Sequence, residues 1–393
     1  MKNNRTFLEK LLDGAEVEWK PLWSVTTWDK RFNAVEKEKQ PKVIKYHYYL
    51  ASELKPLIVD GGNVKLLTTN ESDIWTTEEL VQSNISEGEI IAIPWGGNPI
   101  VQYYKGKFVT ADNRIATSNN TKILDNKFLY YFLLSKLDVI SSFYRGSGIK
   151  HPSMYHVLEM LIPIPPLSVQ IEIVKILDAL TALTSELTSE LILRQKQYEY
   201  YREKLLSEEE LGKVGFEWKP LGEVTNIKTG QAVSKYSISQ NPGIYPVINS
   251  GREPLGFINE WNTENDPIGI TTRGAGVGSI TWQEGKYFRG NLNYSVTVKS
   301  DYKLNVRFLY HILLYFQKEI HNLCSFTGIP ALNASELKKL EISIPAIEEQ
   351  QRIVSILDKF EDLTNSITDG LPLAIEQSQK RYEYYRELLL SFS

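Results

Sequence analysis

The chain has 393 residues, of which 42% are hydrophobic, and its 44 basic and 48 acidic side chains give a formal net charge of −4. This length predicts two or three domains, and the composition argues against wholesale disorder. One cysteine and five scattered histidines exclude an internal disulfide framework and a cysteine-rich zinc site, so we predict no bound metal.

The chain contains no apolar run of about 20 residues, the length that a membrane helix needs, and its first residues lack the apolar core of a secretory signal. We therefore expect a cytoplasmic protein without a membrane partner. The acidity is concentrated in residues 166–214 and 346–393, whereas residues 15–165 and 215–345 are close to neutral. The net charge therefore does not exclude a nucleic-acid partner, because the distribution of charge matters more than its sum.

Residues 1–14 are predicted to be a helical segment, because "EKLLDGAEVEWKPL" from Glu9 resembles "EKLLSEEELGKVGFEWKPL" from Glu203. The second stretch closes a long predicted helix in the middle of the chain. The N-terminus thus resembles the end of a repeat unit, and the pattern of repeats becomes circular. We expect the two ends of the chain to lie close together.

Residues 15–165 are predicted to form an α+β domain. The stretch 89–117 has short apolar runs broken by Gly, Asn and Pro, which is typical of strands and turns, and "KFLYYFLLS" at 127–135 predicts an apolar helix. The turns carry side chains of the types that hold phosphates and read base edges, although such residues are also ordinary at turns. The candidate DNA contacts are Trp95, Asn98, Lys105, Lys107, Asn113, Arg114, Arg145 and Lys150.

Residues 166–214 are predicted to form a long central helix. Alternating steps of four and three from Ile173 reach ten positions, eight of which are apolar or aromatic. About 40 helical residues span about 60 Å, and a helix of that length cannot bury its apolar stripe alone.

Residues 215–345 are predicted to form a second α+β domain with the same borders as the first. "EWKPL" at 217–221 repeats 18–22, and "RFLYHILLY" at 307–315 resembles the apolar helix of the first domain, but the stretch 268–298 between them is dissimilar. The candidate DNA contacts of this domain are Arg252, Arg273, Lys286, Arg289, Asn291 and Asn293.

The glycine-rich "TTRGAGVGS" at 271–279 suggests a nucleotide or S-adenosylmethionine loop. Such a loop needs a helix after it, whereas "SITWQEGKYF" predicts a strand. We therefore predict a strand-to-strand turn with Arg273 at its tip. Glu18 and Lys20 form a possible catalytic pair. The same tripeptide, EWK, recurs at 217–219 in the similar sequences that border both domains, here called the repeated frame, and this recurrence favours a structural role. No catalytic residue is predicted.

Residues 346–393 are predicted to form a second long helix. "ISIPAIEEQQRIVSILD" at 342–358 shares nine of seventeen positions with "IPIPPLSVQIEIVKILD" at 162–178, and "RYEYYRELLLS" at 381–391 repeats "QYEYYREKLLS" at 197–207. Gly370 and Pro372 are expected to bend or interrupt this helix. Its economical partner is the first long helix, in an internal coiled coil.

The repeated tyrosine-rich phrase divides into two sets of side chains. Tyr198 and Tyr201, with Tyr382 and Tyr385, fall on the predicted seam, where core packing is the expected role. The residues that fall off the seam are suited either to binding a partner protein or to a solvated helix face. These candidate partner-binding residues are Tyr200, Arg202, Tyr384 and Arg386.

The whole layout resembles the specificity subunit of a type I restriction-modification enzyme. The resemblance rests on the phrase P-x-x-x-x-Q-x-x-I-V-x-I-L-D, which occurs twice, on the closing "YEYYRE" phrases, and on "GSGIKHPSM" and "FTGIPALNA", which resemble the family's link into the long helix. It implies two target recognition domains, separated by two long antiparallel helices in a coiled coil, as an internal pseudo-twofold repeat with circular organisation. The implied boundaries are 1–14, 15–165, 166–214, 215–345 and 346–393.

The resemblance also implies a function. Each recognition domain would read one half of a split, asymmetric site on double-stranded DNA, while the helices set the spacing and dock two methyltransferase subunits. S-adenosylmethionine, ATP and Mg would be bound by the methyltransferase subunits and by the restriction or translocase subunits. The complex would work in the cytoplasm of a prokaryote, and this chain would hold no active site. Two alternatives remain: a stand-alone DNA methyltransferase or nuclease with two recognition domains, and a coiled-coil protein adaptor.

Overall fold

The structure is a computed structural model that describes residues 7–251, 253–365 and 370–392. It divides into two compact units, each a mixture of helices and sheets. Unit 1 comprises Met1–Glu186 and Ile375–Ser393, and unit 2 comprises Leu187–Ala374. No helix of the described ranges is long and apolar enough to cross a membrane.

The first half of the chain contains ten strands and eight α-helices within its described residues. The strands are β1 (Glu18–Pro21), β2 (Thr26–Trp28), β3 (Val64–Leu67), β4 (Trp75–Thr76), β5 (Ser86–Pro94), β6 (Gln102–Thr110), β7 (Asn113–Ser118), β8 (Tyr144–Arg145), β9 (His151–Pro152) and β10 (Leu161–Ile164). The helices are α1 (Phe7–Leu12), α2 (Leu22–Val25), α3 (Ala51–Leu54), α4 (Glu78–Val81), α5 (Asn126–Ser135), α6 (Leu137–Ser142), α7 (Met154–Glu159) and α8 (Leu167–Leu205). Short 3-10 helices lie at Lys37–Lys39, Lys55–Leu57 and Gln82–Asn84.

The second half repeats this count over the residues that the structure describes. The strands are β11 (Phe216–Pro220), β12 (Thr225–Thr229), β13 (Pro242–Ile248), β14 (Phe257–Ile258), β15 (Thr263–Glu264), β16 (Ile268–Thr271), β17 (Ile280–Trp282), β18 (Lys286–Arg289), β19 (Asn293–Val298) and β20 (Glu341–Pro345). The helices are α9 (Glu208–Gly212), α10 (Leu221–Val224), α11 (Lys235–Gln240), α12 (Val306–Tyr315), α13 (Gln317–Asn322), α14 (Ala334–Leu337), α15 (Ile347–Asn365) and α16 (Leu371–Leu390).

Unit 1 is built on a six-stranded sheet with the order β2-β7-β5-β6-β3-β4. All neighbours are antiparallel except β3 and β6, which are parallel. The side chains of β5 alternate between two hydrophobic clusters: Ile91 and Ile93 pack with Phe128 of α5, and Ile90 packs with Phe108. Both faces of this strand are therefore buried from Ile90 to Pro94, which explains the uninterrupted apolar run over these residues. The strands predicted within 89–117 are confirmed.

Unit 2 has two four-stranded sheets in place of the six-stranded one, with the orders β12-β19-β16-β17 and β14-β13-β18-β15. In the first sheet, Ile268 and Ile270 share a hydrophobic cluster with Phe308 and Ile312 of α12. The second sheet has a smaller cluster around Val247. The part of each unit that carries these sheets, β2 to β7 in unit 1 and β12 to β19 in unit 2, is here called its middle. The two middles thus differ in strand number and order, in keeping with their dissimilar sequences.

The borders of the two middles, in contrast, have the same structure. β1 pairs antiparallel with β10, with Glu18 opposite Ile164, and β11 pairs antiparallel with β20, with Glu217 opposite Ile344. The Lys20 ammonium lies 3.0 Å from the Glu18 carboxylate on its own strand. Glu18 and Lys20 are therefore part of the repeated frame, as the sequence predicted, and they lie on a two-stranded ribbon.

A buried glutamine fastens each long helix to its unit. Gln170 accepts from the Asp125 backbone N–H at 2.9 Å and donates to two backbone carbonyls, each at 2.8 Å. Gln350 makes the corresponding three bonds, to the Asn305 N–H at 2.8 Å and to two carbonyls at 2.9 and 3.2 Å. Asp125 and Asn305 are the N-caps of α5 and α12. This contact explains why the glutamine stands in both copies of the repeated phrase.

Replacement of Gln350 by leucine will destabilise unit 2 by about 2 kcal/mol, because one buried and two partly buried backbone groups lose their hydrogen bonds to its amide. Thermal unfolding of the chain should show the loss in the transition assigned to unit 2. The matched control is Gln351→Leu at the next, exposed position. Equal stability of the two variants would contradict the fastening role of Gln350.

The predicted seam of the long helices agrees with their burial. Of the ten seam positions in α8, nine are buried or half-buried, and Tyr201, which is 38% exposed, stacks on Phe360 of α15 at 5.3 Å. Within unit 1, the Thr184 hydroxyl lies 2.8 Å from that of Ser378, while Ile173 and Leu389 share one cluster. The α8 and α16 segments of that unit are therefore antiparallel.

The second long helix is described as two pieces, α15 and α16. Gly370 is not helical, and its carbonyl accepts the first described hydrogen bond of α16 from Ala374. Residues 366–369, which include the seam position Ile367, lie outside the described ranges. In unit 1, Leu8 of α1 belongs to the same hydrophobic cluster as Leu389 near the chain's other end.

Candidate nucleic-acid interface

In unit 1, a turn and a hairpin bring several predicted DNA contacts together. The turn is "WGGNP" at 95–99, and the hairpin consists of β8, β9 and the tip between them. The Gly97 N–H donates to the Lys150 carbonyl at 3.1 Å, and His151 Nδ1 lies 2.7 Å from the Trp95 carbonyl. Asn98, Arg145 and Lys150 are exposed around this contact. A surface with these donors is suited to phosphate and base-edge contacts.

Asn113 and Arg114 occupy a different environment, because both side chains are buried. The Arg114 guanidinium lies 4.3 Å from the centre of the Trp95 ring, donates to Asp112 at 2.7 Å, and lies 3.6 Å from Asp29. Asn113 donates to the carbonyls of residues 67 and 68, each at 3.2 Å. Direct contact with DNA needs exposed atoms, so we correct the expected role of these two residues to support of the turn.

Asp29 is the buried acid that pairs with Arg114. Burial raises the pKa of Asp29 above its ordinary value, against the opposing effects of its hydrogen bond with Tyr48 and the nearby Arg114. The same carboxylate accepts from the Ile115 backbone N–H at 3.0 Å. The positive charge of Arg114 therefore compensates the buried carboxylate of Asp29. This pairing fixes the guanidinium against the Trp95 ring, next to the hairpin.

The two predicted lysines of β6 are at the surface of unit 1 but already have acidic neighbours. Lys107 forms an ion pair with Glu78 at 2.8 Å, and Lys105 lies 3.6 Å from Glu89. Both ion pairs are exposed, and exposed pairs are weak enough to exchange for a phosphate.

Unit 2 places its glycine-rich turn against a hairpin in the same way. The Gly274 N–H donates to the Pro330 carbonyl at 3.0 Å, and Arg273 forms a β-bridge with Ala331. Residues 272–279 lie between β16 and β17, so the predicted strand-to-strand turn is confirmed. Arg273 is exposed there, and Asn291 is exposed in the turn between β18 and β19.

Arg289 and Asn293, two further candidates, are buried. Arg289 donates to Asn293 Oδ1 at 2.6 Å and to the carbonyls of Ile268 and Asp266 at 3.1 and 2.6 Å. Burial lowers the pKa of Arg289 below its ordinary value. As with Arg114 and Asn113, we correct the expected role of Arg289 and Asn293 to support of the turns. Lys286 stays at the surface, 4.6 Å from the Trp261 ring, and Arg252 lies outside the described residues.

Sequence reasoning missed several residues beside these turns. Exposed Lys30 lies 5.5 Å from the Trp95 ring, and His151 holds the turn to the hairpin. In unit 2, exposed Lys228 and Gln231 line a polar cavity of about 310 Å³. The repeat offset of 180 residues would have drawn attention to the hairpins, but no sequence signal connects Lys30 with Trp95.

The four candidate partner-binding residues form two similar pairs. Tyr200 and Tyr384 are 58% and 62% exposed. Arg202 and Arg386 are only half-buried, and each guanidinium lies 5.4 Å from the ring of the tyrosine one turn before it, Tyr198 or Tyr382. The tyrosines are thus available to a partner, whereas the arginines mainly cover the seam.

A polar cluster joins α12 to α15 in unit 2. Asp358 accepts from Arg307 Nε at 2.8 Å and contacts His311 Nε2 at 2.7 Å, and Glu361 lies 3.0 Å from the same guanidinium. Within the described ranges, His311, Asp358 and Glu361 are the one trio whose ligand atoms are close enough to hold a metal. Arg307 pairs with both carboxylates, so a cation would have to displace it. Asp178 makes the equivalent contacts in unit 1, with Lys127 and Tyr131.

The stability contributed by Asp358 will depend on acid pH. Burial raises its pKa, but the hydrogen bonds from His311 and Arg307 outweigh burial and hold the pKa below the ordinary value of 3.8. The charged carboxylate therefore stabilises the fold fully above about pH 4, and this contribution is lost as pH falls below 3.8. Asp358→Asn should be less stable than the wild type at pH 7, and the difference should shrink below pH 3.8.

Thermal unfolding from pH 7 to pH 3 measures this difference. Asp362→Asn, at an exposed position of the same helix, is the control and should follow the wild type throughout. A difference between wild type and Asp358→Asn that stays constant over this pH range would refute the ion-pair explanation.

Comparison with known proteins shows one family. The family model for the type I restriction modification DNA specificity domain matches twice, at residues 33–194 and 213–377. A protein of Haemophilus influenzae, provisionally named a type I restriction enzyme specificity subunit, is 41% identical over 100% of both chains. A type I restriction enzyme specificity subunit of Escherichia coli is 34% identical, covering 98% of this chain and 97% of its own.

Solved structures agree in fold. The S subunit of a type I restriction-modification system from M. genitalium matches with a TM-score of 0.68 at 20% identity, covering 100% of this chain and 98% of its own. A chain from a structure of type I system assembly and conformational transition has a TM-score of 0.52 at 17% identity, with 96% and 98% coverage. The two family matches and the full-length relatives lead to one conclusion: this chain belongs to the family of type I restriction-modification specificity subunits, which determine DNA sequence specificity.

Proposed function

We propose that each unit reads one half of a bipartite, asymmetric DNA site, and that the long helices set the gap between the half-sites and dock two methyltransferase subunits. One observation carries the proposal: two units with the same frame contain unlike middles. A common frame suits a common partner, and different middles suit different base sequences. The pseudo-twofold, circular arrangement of two recognition domains on an antiparallel coiled coil is part of this proposal.

The support for a common frame lies in contacts that recur at an offset of 180 residues. Gln170 and Gln350 fasten the long helices by three hydrogen bonds each. Eight residues later, Asp178 and Asp358 bind side chains of α5 and α12. The packing of Leu8 with Leu389 supports a circular order, since the first helix completes the cluster around the last. Such matched anchoring would give two identical enzyme subunits equivalent docking places.

The proposed DNA contacts are the predicted residues whose side chains reach the surface of the turns, the hairpins, β6 and β18. In unit 1 and unit 2 these are Asn98, Lys105, Lys107, Arg145, Lys150, Arg273, Lys286 and Asn291. Trp95 and the buried residues Asn113, Arg114, Arg289 and Asn293 would act indirectly by fixing the turns. Loss of an exposed arginine that reads a base would cost about 1–3 kcal/mol and relax specificity at one position.

For the protein partners, the proposed docking residues are Tyr200 and Tyr384, which are exposed at equivalent places on α8 and α16. Exposed tyrosines are enriched where proteins bind each other. The chain itself would be non-catalytic. S-adenosylmethionine, ATP and Mg would be bound by the methyltransferase and restriction or translocase subunits, and the complex would work in the prokaryotic cytoplasm.

Electrophoretic mobility shift and methyl-transfer assays, on the chain alone and with its methyltransferase subunit, test the proposal. We expect no methyl transfer by the chain alone, and sequence-specific binding and methylation by the complex. Double-stranded probes with either half-site scrambled should both lose specific binding. Methylation or cleavage by the purified chain alone would favour the stand-alone enzyme, and a complex without sequence preference would favour the protein adaptor.

A further inference from the structure

Two isoleucines protrude at equivalent places in the two units. Ile149 is 70% exposed and Ile329 is 68% exposed, and they are separated by the repeat offset of 180 residues. Each lies at the tip of a short hairpin next to a glycine, Gly148 or Gly328. Single exposed apolar residues are common on protein surfaces, but exposure at the same position of a repeated frame calls for a common role.

The two hairpins are built in the same way although their sequences differ. Arg145 pairs with His151 in unit 1, and Ser325 pairs with Ala331 in unit 2, which is the same register. Each tip accepts one backbone N–H from a neighbouring turn, at 3.1 Å in unit 1 and 3.0 Å in unit 2. The donors, Gly97 and Gly274, have φ values of 98° and 95°, a conformation that favours glycine. The tips are therefore held against the proposed DNA-reading turns.

In unit 1, the hairpin tip that carries Ile149 lies close over two glycines. A Cβ on Gly96 would lie 2.9 Å from Ile149 Cγ2, and a Cβ on Gly146 would lie 2.7 Å from the Ile149 carbonyl oxygen. Glycines thus leave space for the tip to lie close over the turn. An apolar side chain on a supported tip can press into a partner without loss of the loop's shape.

Charge distinguishes between the kinds of partner that could receive these tips. Residues 143–153 and 323–333 contain no acidic residue, nor do the turns 94–99 and 271–279, in a chain with 48 acidic residues. Exposed Arg145, Lys150 and Arg273 lie beside the tips. This composition is complementary to phosphates. Ile149 is the one large apolar side chain exposed on its hairpin, which differs from the contiguous apolar patch on which protein docking usually depends, whereas the unit 2 tip also exposes Phe326, at 53%.

We propose that Ile149 and Ile329 are wedge residues, each of which enters the base stack at one step of its half-site. Proteins that distort DNA insert isoleucine and similar side chains between base pairs, and contacts around the site offset the cost of unstacking. The inference rests on the proposed function. Because the tips belong to the repeated frame, both half-sites would be unstacked at a corresponding step, whatever bases the dissimilar middles read.

The test uses the complex of the full chain with its methyltransferase subunit, bound to duplexes that carry 2-aminopurine at successive steps of each half-site. Wild-type complex should brighten the probe at one step in each half. Ile149→Ala should abolish the signal in one half-site and Ile329→Ala in the other, and each should weaken binding about tenfold. The dependence of affinity on salt should not change, because no charge is removed.

Ile123→Ala and Ile244→Ala, which are exposed isoleucines elsewhere in units 1 and 2, are the matched controls and should retain both signals. Specific binding without any brightening, or brightening that survives in both alanine variants, would overturn the wedge while leaving the proposed function intact. Weaker assembly of the alanine variants with the methyltransferase subunit in the absence of DNA would also overturn it, in favour of protein docking. Loss of all sequence preference in the wild-type complex would refute the proposed function itself.

Discussion

Replacement of residues 15–165 by the corresponding segment of a relative with a different DNA target will exchange one half-site and leave the other unchanged. The reason is that unit 1 and unit 2 have separate cores, with unlike sheets in their middles. A half-site with several mismatched base pairs costs several kcal/mol, so the original duplex should bind the chimaera about a thousandfold more weakly.

The grafted segment must keep its contacts with the retained helix, because Gln170 and Asp178 of that helix bind residues within 15–165. The graft should therefore keep Asp125 and Lys127, whose backbone and side chain those residues bind. Binding of the reconstituted complex to duplexes with every combination of old and new half-sites measures the result. The matched control replaces residues 215–345 and should exchange the opposite half. A chimaera in which both halves change would contradict separate reading.

Lengthening the long helices by one turn will change the spacing of the half-sites and not their sequences. α8 contains the tetrapeptide TSEL twice, at 184–187 and 188–191, and a third copy after Leu187 can be combined with a duplicate of "AIEQ" at 374–377 in α16. Four helical residues add about 6 Å and about 40° of rotation. Because base pairs are about 3.4 Å apart, the preferred spacer should grow by one or two base pairs.

On the original spacer, the lengthened complex should engage one half-site at a time and bind about a hundredfold more weakly. Selection of bound duplexes from a pool with all spacer lengths measures the preference. The matched control has no insertion. It carries the same number of substitutions at exposed positions of the two helices, and it should keep the original spacer. Altered half-site bases with an unchanged spacer would disprove the spacing role.

Elements with a regular pattern could be predicted from the sequence. The alternating four-three spacing located Ile173, Leu177 and Ile353 on the buried seam, since side-chain burial in a helix follows its period. The repeated phrase has a Gln and an Asp at the same places in both copies, and the structure shows both to be hydrogen-bonded in each unit. Repetition made these local signals visible without any knowledge of distant residues.

The roles of Arg114 and Arg289 could not be predicted in the same way. Both stand in turn-rich segments where an arginine is normally exposed, yet each is buried by acids and carbonyls from distant parts of the chain, such as Asp29 and Asp266. Only the folded sheet brings these groups together. The agreement between the turns at Gly97 and Gly274 was also hidden, because a backbone N–H can meet a backbone carbonyl in two unrelated sequences.

The most direct test of two-part reading is to sequence the methylated positions in DNA from cells that express this chain with its methyltransferase subunit. The account predicts one motif with two different defined blocks, separated by a fixed number of unspecified bases. It further predicts that exchange of residues 15–165 alters one block alone. A single uninterrupted motif, or one that the exchange leaves unaltered, would contradict the central claim.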